Sequence, residues 1–189
     1  MDDLNLVQNI LKGDDSAFEL LLKKYQLEIS KYVYSNIRDN ETTKDIVQDI
    51  FICVYNKLYT FDQKYKFKTW LYTIARNKCI DYIRKSKKVS IDSDSSVDLV
   101  ESKEACPSTI AEFNETKSSI SAFIKTLDEK NKQLLYLKYY HSDMNFNDIG
   151  RILKISEAAT KSRYYSLYKR YINFLNKSNK IRGERFEMQ

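Results

Sequence analysis

Asn77, Asp81, Arg84 and Lys88 recur at steps of four, three and four residues, which places them on one face of a helix. Two cations with an amide and a carboxylate can grip phosphate oxygens and also bond base edges, and Arg76 adds another cation beside them. Just upstream, Phe61, Tyr65, Phe67 and Trp70 are interleaved with Lys64, Lys66 and Lys68. Rings beside cations suit unpaired nucleic acid, whose bases stack on aromatic side chains. Phe67 and Trp70 have a second reading, as rings that close a helical bundle, so Tyr65 is the better candidate for base contact.

A second constellation lies near the C-terminus. The stretch Phe146-Asn147-Asp148-Ile149-Gly150-Arg151-Ile152-Leu153-Lys154-Ile155-Ser156 reads as a short helix and a turn, with Ser156 capping a further helix. On that further helix Thr160, Tyr164, Leu167 and Tyr171 form a stripe for a core. The opposite stripe carries Ala158, Lys161, Ser162, Tyr165 and Lys169. Small residues near its start allow close approach to a groove. Lys161 can reach phosphate or a guanine edge, Ser162 can bond either, and Tyr165 can meet a thymine methyl or the backbone. This is the layout of a helix-turn-helix whose second helix enters the major groove. An ordinary helical hairpin with a solvated basic face has the same pattern.

A third face has the opposite chemistry. Asp45, Gln48 and Asp49 fall together beside Phe51. An acid and amide face on a chain of net charge +6 suits a basic protein surface better than DNA. Asp45 and Asp49 could in principle hold a metal, but no His or Cys cluster accompanies them. The three cysteines, Cys53, Cys79 and Cys106, form no C-x-x-C pair, and His141 is the one histidine, expected at the surface or at a helix end. Neither a zinc site nor a disulfide framework is supported. Cys53 and Cys79 read as small buried hydrophobes. No metal, cofactor or catalytic set is expected, and the chain reads as a binding protein rather than an enzyme.

These faces need long helices to position them. With 3 Gly and 1 Pro in 189 residues, helix punctuation is scarce. Apolar periodicity predicts a helix from Ser16 to Ser35, capped by Asp14 or Asp15. A second runs to about Leu58, capped by Thr42 or Thr43. A loop from Tyr59 to Lys68 precedes a third, from Thr69 to Lys87, with Leu71, Ile74, Ala75, Tyr82 and Ile83 inward. From Ser86 to about Asn114 the pattern breaks. Val89 to Thr116 holds seven acidic residues and one Lys, and the segment reads as an extended linker. Its Val97, Leu99 and Val100 could dock in a partner. A C-terminal module follows, with Ile120, Phe123, Ile124 and Leu127 on one helix. Thr126-x-x-Glu129 reads as a capping box for the next, which carries Leu134, Leu135 and Leu137. Asn145 or Asn147 caps the short helix through Leu153, and the last helix ends near Asn176.

The expected architecture is therefore all-α, with two small helical bundles joined by a flexible acidic linker. The boundaries are 1–88, 89–116, 117–176 and a frayed basic tail, 177–189. Basic lobes around an acidic strip suggest a polyanion partner at both ends. No apolar run approaches the ~18 residues of a membrane span, and Met1-Asp2-Asp3 opens no signal peptide, so a cytoplasmic protein is expected.

The combination resembles the extracytoplasmic-function (ECF) sigma factors, a compact class of the bacterial sigma family. Asp45 to Phe51 matches the family's D-x-x-Q-[DE]-x-F, and Trp70 to Arg84 matches its W-L-x-x-I-A-R-N-x-x-x-D-x-x-R at every specified position. Ser156 to Arg163 resembles its S-x-x-T-V-K-S-R. The likeness covers roughly residues 10–90 and 117–176. It implies that Asp45, Gln48, Asp49 and Phe51 bind the clamp helices of the largest subunit of core RNA polymerase. It implies that Tyr65, Arg76, Asn77, Asp81, Arg84 and Lys88 engage and help open the −10 promoter element. Ser156, Ala158, Lys161, Ser162, Tyr165 and Lys169 would read the −35 element as duplex. The acidic linker would run towards the RNA exit channel, and an anti-sigma factor, membrane-anchored in many relatives, would hold the protein inactive.

Four positions depart from the family pattern. Ala159-Thr160 stands where Thr-Val is usual, Lys154 replaces a frequent turn glycine, and Ser166 replaces a basic residue of some relatives. The chain ends soon after the second module, so no extra sensory domain is expected. A conventional helix-turn-helix regulator, binding duplex without polymerase, is the other reading of the DNA-facing residues, although no long dimerisation helix or ligand domain is evident. A nuclease is a third, and it lacks a metal-ligand cluster.

Overall fold

A computed structural model gives the structure of residues 2–92, 120–141 and 143–186, with side-chain surroundings for 2–86, 120–141 and 143–176. The described residues are helical with short turns and contain no strand, as the all-α expectation requires. The chain divides into two units, Met1–Glu101 and Ser102–Gln189. The division falls inside the acidic strip. Most of that strip, with Val97, Leu99, Val100, Cys106 and Pro107, lies outside the described residues, as does the side chain of Lys88.

The first unit contains α1 (Asp3–Leu11), α2 (Asp15–Ile37), α3 (Asn40–Lys57), a 3-10 turn (Leu58–Thr60) and α4 (Phe67–Asp92). Helix α1 is an addition to the sequence reading. Its Leu6, Val7 and Ile10 are buried at the i, i+1, i+4 spacing of a narrow apolar stripe. Asp3 ties it to α2, accepting from Lys24 Nζ and from the Tyr25 hydroxyl, both at 2.6 Å. Asp14 caps α2, taking hydrogen bonds from the Ser16 and Ala17 amides. Between α2 and α3 the cap is Asp39, whose carboxylate accepts from the Thr42 amide at 2.8 Å, rather than Thr42 or Thr43. Arg38 is left-handed, φ 60, which turns the chain and leaves Asp39 extended just ahead of the free amides. Thr43 is then one turn inside α3 and buried.

Leu21, Ile29, Tyr32 and Val33 of α2, Ile50 and Val54 of α3, and Leu71, Tyr72, Ala75 and Cys79 of α4 make the core of this unit. Tyr32 and Tyr72 meet edge to face, with centroids 5.2 Å apart. Tyr72 takes the inward place expected of Tyr82, which is exposed. No side chain from Asp81 to Ser86 is buried, so the core ends at Cys79. Helix α4 nevertheless continues through Ser86 to Asp92, where an extended linker was expected. Nothing between Phe67 and Asp92 is Gly or Pro, so no residue stops it.

The second unit contains residues 120–125 (α5), α6 (Glu129–Tyr140), α7 (Phe146–Leu153) and α8 (Glu157–Phe186). Phe123, Leu127, Leu134, Leu137, Met144, Ile149, Ile152 and Leu167 fill its core. Asp128, not Thr126, caps α6, accepting from the Asn131 amide at 2.8 Å. The Thr126 hydroxyl donates back to the Phe123 carbonyl at 2.7 Å and is thereby taken. Asn145 caps α7 in a reciprocal box with Asp148. His141 closes α6 and is 4% exposed, an end position as expected but an internal one. The backbone of α8 stays helical past Asn176 to Phe186, in a stretch without proline. Among the described residues no helix is long and apolar enough to cross a membrane.

Candidate functional site

The three faces named from sequence sit on α3, on α4 with the loop before it, and on α8. On α3, burial of Ile46, Val47 and Ile50 turns Asp45, Gln48 and Asp49 to solvent. Phe51 does not join them. It is 5% exposed and lies in the wall of an open groove of about 820 Å³ between α2 and α3, with Phe18, Leu22, Val47, Gln48 and Tyr55. An i+3 step from Gln48 carries Phe51 round towards α2, because 3.6 residues complete a turn. The sequence reading missed this groove. Its signal is the four-residue step of Phe18, Leu22, Gln26 and Ser30, a second stripe on α2 beside the core stripe. Phe18 and Tyr55 close one end, edge to face at 5.0 Å. The Tyr55 hydroxyl donates to Asp15 at 3.2 Å, and that carboxylate raises the Tyr55 pKa.

On α4, Asp81 and Arg84 are exposed and Asn77 is half-buried. Arg76 is not on this face, being 6% exposed. It shares the i, i+3, i+4, i+7 stripe of Tyr72, Ala75 and Cys79 that packs inward. The loop before α4 is pinned by rings. Phe61 and Phe67 are buried, and Trp70 packs half-buried on both, at centroid distances of 5.6 and 5.8 Å. Lys68 pairs with Glu28 of α2 at 3.2 Å and fixes the start of the helix. Tyr65 is 42% exposed and projects from the turn in which Asp62 accepts from the Lys64 amide. The bundle-closing reading therefore describes Phe67 and Trp70, whereas Tyr65, like Tyr59 at the other end of the loop, is exposed.

On α8 the inward stripe is Thr160 and Leu167, both buried, with Tyr164 and Tyr171 half-buried. Ser156, Ala158, Lys161, Ser162, Tyr165 and Lys169 are all exposed. The angle between α7 and α8 rests on one small residue. A methyl added at Gly150 would sit 2.7 Å from the Ile155 carbonyl and 2.9 Å from Thr160 Oγ1. Lys154 makes the turn in the left-handed region, φ 57. Phe146 packs on Tyr164 at 5.4 Å and carries Lys138 over its ring at 4.9 Å. Lys161 pairs with Glu157 at 2.7 Å, and this bond raises its pKa. Glu157 was not among the site residues expected from sequence, although the i, i+4 spacing announces it.

No group of three or more His, Cys, Asp or Glu side chains is placed to hold a metal among the described residues. The arrangement offers an acidic face with an adjoining apolar groove, a mixed polar helix face with a projecting ring, and a basic helix-turn-helix. Comparison with known proteins agrees with the sequence motifs. The Sigma-70 region 2 family matches residues 21–89, which span α2 to α4. The ECF sigma factor SigW of Bacillus subtilis is 30% identical over 168 residues, covering 84% of this chain and 89% of that protein. SigM of the same organism is 29% identical over 161 residues, covering 81% and 96%. Among solved structures, the sigma factor RpoE of Bartonella quintana, in complex with the anti-sigma factor NepR, has a TM-score of 0.67. It is 21% identical and covers 84% of this chain and 96% of that one. CnrH, solved with the cytosolic domain of CnrY, has a TM-score of 0.64 at 18% identity, covering 92% and 97%. These two likenesses carry the fold, and the identity to SigW over most of both lengths carries the family: the chain belongs to the ECF RNA polymerase sigma factors, which recognise promoters and start transcription.

Proposed function

We propose that this sigma factor divides its work among the three faces. Asp45, Gln48 and Asp49, with the groove floored by Phe51, hold the clamp helices of core RNA polymerase. Tyr65, Asn77, Asp81 and Arg84, with Lys88 further along α4, take the −10 element. Ser156, Ala158, Lys161, Ser162, Tyr165 and Lys169 read the −35 element in the major groove. Arg76 supports the −10 face from inside α4 rather than touching DNA. The acidic strip threads the polymerase towards the RNA exit channel.

One observation carries this reading: neighbouring helices of one unit present different chemistry, two carboxylates and an amide on α3 against a face on α4 in which a guanidinium joins one amide and one carboxylate. A single DNA-binding surface has no use for the first of these. Opening the −10 region then needs no catalytic side chain and makes the protein a binding subunit, not an enzyme. Bases held by the protein offset an unstacking cost of a few kcal/mol per step. Two weak readouts, joined through the polymerase, multiply by effective concentration. We further propose that the protein acts in the cytoplasm and that an anti-sigma factor silences it by covering the polymerase and DNA faces. RpoE of Bartonella quintana was solved in complex with the anti-sigma factor NepR, which supports this reading.

The test is in vitro transcription with core RNA polymerase on a promoter library, with and without the protein. Dependent transcripts that share a two-part upstream sequence are expected. Failure to initiate, together with duplex binding by the protein alone, would instead indicate a conventional helix-turn-helix regulator.

A further inference from the structure

Glu157 and Lys161 stand one turn apart at the start of α8, Oε1 to Nζ 2.7 Å, each side chain about half exposed. Their direction is set from behind. Thr160 is fully buried and its hydroxyl donates to the Ser156 carbonyl at 2.8 Å, while Leu167 seats the next turns. Ala158, beside the pair, is exposed and carries only a methyl. The first turn of the helix thus offers a carboxylate and an ammonium together at the place where a helix-turn-helix meets base edges.

A carboxylate there is costly on most DNA. Phosphates repel it, and guanine and thymine show only acceptors in the major groove. Cytosine N4 is the donor it pairs with best, and the guanine opposite supplies O6 and N7 as two acceptors for an ammonium. A C·G pair therefore matches both members at once. An exposed i, i+4 ion pair adds little to stability, so exchange of Glu157 and Lys161 for base edges is easy when the match is present. Where it is absent, the pair stays closed and Lys161 gives less to non-specific phosphate binding.

We propose that Glu157 is a specificity-determining residue: with Lys161 it reads one C·G base pair of the upstream promoter element, and on other sequences it holds Lys161 out of use. The inference rests on the proposal that α8 reads that element, and it adds a residue and a base to it.

The test reconstitutes core RNA polymerase with the full chain and transcribes templates randomised across the upstream element, sequencing those that yield RNA. Wild type, Glu157→Ala and Glu157→Gln are compared, with thermal melts run in parallel. Wild type should favour cytosine at one position by about tenfold, the discrimination of a good base contact. Glu157→Ala should weaken that preference several-fold at this position alone, leaving what Lys161 draws from the paired guanine, and should bind a scrambled duplex several-fold more tightly. Glu157→Gln should move the preference towards adenine, which an amide bonds through N6 and N7. An upstream preference whose base choices are the same in all three proteins would overturn the role of Glu157 and leave the α8 reading standing. No upstream preference in wild type would overturn both.

Discussion

Lys78 of α4 places its Nζ 3.2 Å from Oδ2 of Asp49 on α3, so a cation of one face lies against the carboxylate of another. The pair is solvent-exposed and is worth under about 1 kcal/mol to the fold. Its larger consequence is competition, since any basic surface brought to Asp49 shares that carboxylate with Lys78.

Asp49→Lys should therefore weaken core polymerase binding by about tenfold or more while leaving the melting temperature close to wild type, because the exchanged charge is exposed. Lys78→Ala should do the reverse and strengthen core binding modestly. A pull-down with purified core, alongside thermal melts, checks both. Equal core affinity in the two variants would remove Asp49 from the interface.

Gly150→Ala should destabilise the second unit. Alanine gains about 1 kcal/mol of helix propensity over glycine. Against this, the new methyl meets the Ile155 carbonyl at 2.7 Å, and that turn is held by the Ile155 amide bonding the Gly150 carbonyl at 2.9 Å. Overpacking of this kind costs about 1–3 kcal/mol, so a net loss of up to about 2 kcal/mol is expected in urea unfolding. Removing the Thr160 hydroxyl in the same protein should recover only part, since the backbone contact remains.

Lys154→Gly and Arg38→Gly should each stabilise. Both residues sit in the left-handed region, φ 57 and φ 60, at the ends of α7 and α2. A side chain there costs about 1–2 kcal/mol, and glycine gives back about 0.5–1 through its unfolded-state freedom. The expected gain is about 0.5–1 kcal/mol each by denaturant midpoint, and a loss at either position would contradict the turn geometry.

Acid should loosen the first unit through its caps. The Ser16 hydroxyl and Ala17 amide lower the pKa of Asp14, and the Thr42 hydroxyl and amide lower that of Asp39. With folded pKa values below the unfolded ones, the stabilisation is present above the usual Asp pKa of about 3.9 and is lost as pH falls through the folded values. Asp14→Asn with Asp39→Asn keeps a capping acceptor and removes the titration. The double variant should show a shallower fall in melting temperature below about pH 4 than wild type.

Lys161→Ala should weaken binding to the upstream element and lower the salt dependence of duplex binding by about one unit in slope if the side chain meets phosphate. Footprints of the polymerase complex at that element report the change. Protection identical to wild type would shift the reading face of α8 to another register.

Much of this was legible before any coordinates. The apolar stripes of α2, α3 and α8 have helical periodicity strong enough to place Leu21, Ile50 and Leu167 inside and Asp45, Gln48 and Lys161 outside. The motif spacing around Asp45 to Phe51 and Trp70 to Arg84 pointed to the family because a protein interface and a DNA face each need particular side chains at particular steps. Caps were less legible, since Asp39 and Thr42, or Thr126 and Asp128, are all capable acceptors for the free amides of a helix start in sequence. Backbone direction at the corner chose between them.

Sequence alone determined the all-α class, the exposed acid and amide face of α3, the exposed basic face of α8 and the family. Tertiary packing alone decided that Arg76 turns inward, that Lys78 meets Asp49, that a groove opens between α2 and α3, and that Gly150 must stay small. The physical reason is one of range. Periodicity and composition are local properties of a helix, whereas burial of a given side chain depends on which neighbouring helix, distant in sequence, covers its side.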